Sequence, residues 1–91
     1  MHVLDRVRLL KTLEGISYVE LCERTGIDKK RLENVINEKA KIRHEEIEAI
    51  GAAWPEYRLW IAYGDELPEA GQISPMTKKA MEELGTLRKA E

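Results

Sequence analysis

The 91 residues carry 17 acidic and 15 basic side chains for a formal net charge of −2, with 43% apolar and 35% charged residues. That balance excludes a collagen-like or strongly disordered chain and a protein that coats nucleic acid with uniform positive charge; the length fits one domain with a modest core. One cysteine excludes an internal disulfide framework, so a reducing compartment, the cytoplasm, is expected.

The opening MHVLDRVRLL is interrupted by charge too early for a signal-peptide apolar region, and no apolar run approaches membrane-spanning length. Leu4, Val7, Leu10 and Leu13 fall on one helical stripe that Gly15 closes, predicting a first helix over residues 3–14. Ser17 followed by Glu20 has the form of a capping box, in which each side chain satisfies an unpaired backbone N–H at a helix start. The helix it opens turns Leu21, Cys22 and Thr25 inward and ends at Gly26, where a left-handed residue costs glycine little. Asp28 caps a third helix whose apolar positions are Leu32, Val35 and Ile36. Two short helices joined so tightly must cross steeply, which makes them a helix-turn-helix.

KAKIR reads as a basic connector, and His44–Ala53 as a fourth helix with Ile47 and Ile50 inward. Trp54-Pro55 breaks it and starts a fifth from Glu56 to Tyr63. Residues 65–74 are linker-like in Gly, Pro and acid content. Ser74-Pro75 then restarts a helix over 75–91, with Met76, Ala80, Leu84 and Leu87 as a thin apolar stripe. No strand is predicted; the fold class is all-α.

Charge is distributed unevenly. Between Arg24 and His44 lie seven basic residues, Arg24, Lys29, Lys30, Arg31, Lys39, Lys41 and Arg43, against the acids Asp28, Glu33 and Glu38, a local +4 that leaves −6 for the remainder. Cys22 sits in the core stripe with no histidine nearby in sequence, His2 and His44 are too scattered for a metal site, and Glu45 and Glu46 point to different faces of one helix. No catalytic constellation, metal or cofactor is expected, and no enzyme activity.

The stretch ISYVELCERTGIDKKRLENVINEKAKIR resembles the helix-turn-helix of the lambda repressor and Cro family, also called the Xre family, of phage and prophage regulators. The resemblance covers roughly residues 4–63 and rests on Ser17, a small residue at Cys22, Gly26, Ile27, Asp28, Leu32 and Val35. Tyr18 stands where the best-known members place a glutamine, and Glu38 where many place a glycine. The resemblance implies a five-helix, lambda-repressor-like DNA-binding domain over residues 1–64, here followed by a C-terminal helix. It also implies a homodimer placing one recognition helix in each half of a palindromic operator on double-stranded DNA.

On that arrangement the outward residues Lys29, Lys30, Glu33 and Asn34 are expected to read bases: lysine donates to guanine, asparagine pairs with adenine, and glutamate accepts from cytosine. Ser17, Tyr18, Arg31, Asn37, Lys39, Lys41, Arg43 and His44 are expected on the DNA backbone. Tyr57, Trp60, Tyr63, Leu84 and Leu87 are the expected dimer contacts, while core closure against the first and fourth helices is the expected account of Trp54 and competes for Trp60. An antitoxin-type autoregulator and a protein-interaction adaptor are the alternatives on the same fold.

Overall fold

In the computed structural model the chain forms six α-helices and two single 3-10 turns; residues 1–90 are described, with side chains described through residue 85. The helices are α1 (Val3–Glu14), α2 (Tyr18–Thr25), α3 (Lys29–Ile36), α4 (His44–Ala53), α5 (Arg58–Tyr63) and α6 (Pro75–Ala90). Among the described residues there is no strand, only an isolated bridge between Leu67 and Gln72, and no helix is long and apolar enough to cross a membrane. The fold class is all-α.

Local chemistry sets the helix ends. His2 caps α1: its Nδ1 accepts from Leu4 N–H at 3.1 Å, while Asp5 accepts from the His2 N–H at 3.3 Å. Ser17 Oγ accepts from Glu20 N–H at 3.1 Å at the start of α2, but the reciprocal arm of the expected capping box does not form. Glu20 turns instead to Arg24 one turn on, at 3.3 Å, because an ion pair at the helix surface competes with the cap. Asp28 caps α3 through Arg31 N–H at 3.2 Å.

The inward faces meet in one core of Val7, Leu10, Leu21, Leu32, Ile50, Trp54, Tyr57, Trp60 and Ile61. Leu10 and Leu21 are fully buried, so truncating either to alanine costs about 2–5 kcal/mol. Arg6 is buried at its edge. Its guanidinium donates to Ile61 O at 3.1 Å and to Ala62 O, carbonyls that the end of α5 leaves open, and also to Met1 O ahead of α1. Gly64 follows at φ 76°, a backbone turn that favours glycine, and a Cβ there would press on Arg6 Nη1 at 3.3 Å.

Two stretches differ from the sequence expectation. The fifth helix begins later, because Pro55–Tyr57 forms a 3-10 turn before α5. Residues 65–74 are not a loose linker. Leu67 and Gln72 exchange backbone hydrogen bonds at 2.8 and 3.1 Å around a 3-10 turn at Pro68–Ala70. The Gln72 amide accepts from Leu59 N–H at 2.9 Å and donates to Pro55 O at 3.0 Å, supplying a partner for an N–H at the start of α5. Ser74 Oγ then caps α6 through Thr77 N–H at 3.1 Å. Hydrogen bonds from Thr77 and from the Ser74 N–H hold the Glu66 carboxyl below the usual carboxylate range.

The first turns of α6 dock on α1 through polar contacts. Lys78 Nζ lies 3.6 Å from Glu14 Oε1 and 3.5 Å from Glu56 Oε2, and 5.6 Å from the centre of the Tyr57 ring. Burial opposes the Lys78 charge, but Glu14 and Glu56 outweigh it and raise its pKa.

Candidate nucleic-acid interface

The tight α2–α3 connection is built from three small devices. Gly26 turns left-handed at φ 77°, Thr25 Oγ1 donates to Leu21 O at 2.7 Å, and the same hydroxyl accepts from Ile27 N–H at 3.3 Å. Leu32 and Val35 then anchor α3 in the protein, with Ile36 partly buried beside them. This orientation leaves Lys29, Lys30 and Glu33 exposed and Asn34 half-buried. The α3 C-terminus is held from outside the motif by Arg8 of α1, whose Nη2 donates to Ile36 O at 2.6 Å. A basic residue at position 8 gave no sequence signal for this, since its acceptor is a backbone carbonyl.

The connector after α3 is fixed by one side-chain pair. Arg31 Nε and Nη2 donate to Glu46 Oε2 and Oε1 at 2.7 and 2.8 Å, and Nη2 also reaches Lys41 O at 2.7 Å. Glu46 Oε1 further accepts from the Arg43 N–H at 2.7 Å. Hydrogen bonding from Arg31, against the opposing effect of burial and with help from the Arg43 N–H, holds the Glu46 carboxyl below its ordinary range. Arg31, expected on phosphate, has its fork on Glu46 and the Lys41 carbonyl in this structure, where it braces the connector after α3.

Lys29, Lys30, Lys39, Lys41 and Arg43 are all exposed, and none is in an ion pair among the described residues. Arg24 is occupied by Glu20 and stacks 5.4 Å above the Trp54 ring. Asn37 is exposed at the end of α3. Tyr18 is partly exposed at the start of α2, with Lys11 Nζ 4.7 Å over its ring. Ser17 uses its hydroxyl as a cap, and His44 is paired with Glu48 at 2.5 Å. Glu38, in the connector, stands at φ 59° with a full side chain.

The expected dimer contacts separate into two groups. Tyr57 and Trp60 are 1% and 4% exposed within the protomer's own core, so neither is available to a second copy; their three-residue spacing serves core closure. Tyr63 and Leu84 are 74% and 55% exposed. Leu87 lies outside the residues whose side chains are described. Burial first, then Asp28, raises the pKa of the Cys22 thiol, which packs beside the core. Among the described residues no group of three or more His, Cys, Asp or Glu side chains is placed to hold a metal ion.

Compared with protein-family models, with curated proteins and with solved structures, the chain finds no match. The functional reading therefore rests on the chain's own residues.

Proposed function

We propose that this chain is a sequence-specific DNA-binding transcriptional regulator, a short Cro-like repressor of phage or prophage type on a five-helix lambda-repressor-like scaffold, acting as a homodimer and not as an enzyme. The observation that carries the reading is the outer face of α3. A capped helix start, reached through a left-handed glycine turn, presents Lys29, Lys30, Glu33 and Asn34 together, with Lys39, Lys41 and Arg43 exposed immediately beyond and in no ion pair among the described residues.

The chemistry of those groups suits the major groove, which admits one helix and displays donors and acceptors that these side chains match. The lysines donate to guanine O6 and N7, Asn34 pairs with adenine, and Glu33 accepts from cytosine N4 while repelling phosphate. Lys39, Lys41, Arg43 and Asn37 grip the backbone and set register. The acidic remainder of the molecule limits indiscriminate binding. A single recognition helix touches too few bases to select a site, so two protomers read half-sites about 10 base pairs apart. Occupancy of the operator then blocks polymerase or a rival regulator.

The test is fluorescence anisotropy of the purified protein on duplex DNA from immediately upstream of its own gene, against a scrambled duplex of equal length with excess competitor. Tight binding to the upstream duplex alone is the expected result. Equal, weak binding to both duplexes removes autoregulation at that site.

A further inference from the structure

The face of α3 that carries the proposed base-reading residues is not flat. Between α2 and α3 lies a cleft of about 310 Å³ whose floor is apolar, made of Cys22 and Ile36, both half-buried, over the buried Leu32. Its rim is polar: Lys29 and Glu33 stand along it on α3, Asn37 closes it just past the end of that helix, and Tyr18 closes it at the start of α2. Arg8 of α1 holds the Ile36 carbonyl at 2.6 Å and so fixes one wall of the cleft from outside the motif.

The residues around the opening select the occupant. Lys29 and Glu33 are proposed to meet base edges, and Tyr18 and Asn37 the sugar–phosphate strand, so on that reading the cleft lies between a base edge and its own backbone. One cation and one carboxylate stand on the rim, not the excess of cations that draws in a phosphate. The floor offers a base's polar atoms no partner, and it covers an apolar group without cost. Among the features by which the base pairs differ in the major groove, one is apolar: the C5-methyl of thymine. That methyl is the group of the pyrimidine edge nearest its own strand, and the O4 acceptor beside it suits a lysine at the rim.

We propose that this cleft is a subsite for the C5-methyl group of one thymine in each half of the operator, with the side chains of Cys22 and Ile36 as the surfaces that cover it. This rests on the DNA-binding reading above and adds to it a component of specificity that hydrogen bonds do not supply.

The test begins with selection of a preferred sequence from a random duplex library by the full chain. Each thymine of the selected half-site is then replaced by uracil, which removes the methyl and leaves every hydrogen-bonding group in place. In anisotropy titrations the wild type is expected to weaken about fourfold at one thymine per half-site, the worth of one buried methyl. Ile36→Ala, with its helical circular dichroism retained, is expected to bind the thymine and uracil duplexes alike, and Cys22→Ala, on the other wall, to narrow the difference. The uracil substitution itself lies in the DNA, so it reads the wild type whether or not either variant folds. A wild type indifferent to uracil at every position overturns the proposal, as does a uracil effect that both variants leave intact, since the methyl then meets some other surface. A library that yields no preferred sequence is a separate failure: it removes the DNA-reading proposal, and the subsite with it.

Discussion

Arg31 and Glu46 meet fork to fork, at 2.7 and 2.8 Å, across the space between the second helix of the pair and α4. Glu46→Ala leaves the guanidinium partly buried without its carboxylate and removes the acceptor for Arg43 N–H. A loss of about 2–3 kcal/mol is expected in urea unfolding at neutral pH. The Glu46 pKa is lowered in the folded state, so its contribution is present above the unfolded carboxylate value and is lost as pH falls through the lower folded value. The gap in stability between wild type and Glu46→Gln should accordingly narrow in acid. A gap that widened would contradict the ion pair.

Glu38 holds a left-handed backbone with a side chain that disfavours it. Replacement by glycine relieves the strain but frees the unfolded chain, so Glu38→Gly should stabilise by about 0.5–1 kcal/mol. Glu38→Val, β-branched, should destabilise by at least as much, and thermal unfolding of the two variants side by side reads the sign.

On the proposed reading, the exposed cations fall into two kinds that salt separates. Lys29→Ala with Lys30→Ala should abolish discrimination between operator and scrambled DNA while shifting stability by no more than about 0.5 kcal/mol. Lys39→Ala and Lys41→Ala should weaken both duplexes alike and reduce the slope of log K against log salt by about 1 each. Anisotropy titrations at several salt concentrations distinguish the patterns.

Tyr57 donates its buried hydroxyl to Glu14 at 2.5 Å. Burial first, then the Glu14 hydrogen bond and charge, push its pKa far above the ordinary value of 10.0. The unfolded phenol ionises first, so this contribution is intact below that ordinary value and declines as pH rises past it. Tyr57→Phe should cost about 1–2 kcal/mol at neutral pH and lose less of its remaining stability in alkali than the wild type.

What could be read from the sequence is what neighbouring residues decide. Asp28, Gly26 and the Ser74-Pro75 pair act within one turn of themselves, and the end of α2 and the starts of α3 and α6 follow from such signals. Arg31 could not be read the same way. A basic residue in a basic run has one appearance whether it faces water or a carboxylate fifteen residues away, and only packing brings Glu46 to it. Gln72 looked like linker because its partners, Leu59 and Pro55, precede it by 13 and 17 residues. Tyr57 and Trp60 were ambiguous because core and interface use the same aromatic residues, and burial alone separates them. Of the proposed site, the outward residues of α3 followed from helical periodicity, whereas the bracing of the connector did not.

The clasp of Arg6 on the carbonyls of Ile61 and Ala62 joins the beginning of the domain to the last helix of its core. Val7 and Leu10 of α1 share one core with Trp60 and Ile61 of α5, against which α1 packs. During synthesis, a nascent chain that has not yet delivered these residues beyond the ribosome leaves the apolar face of α1 wet and the Arg6 guanidinium without its acceptors. Closure of the domain therefore waits on emergence of α5, long after the two helices proposed to touch DNA have left the exit tunnel.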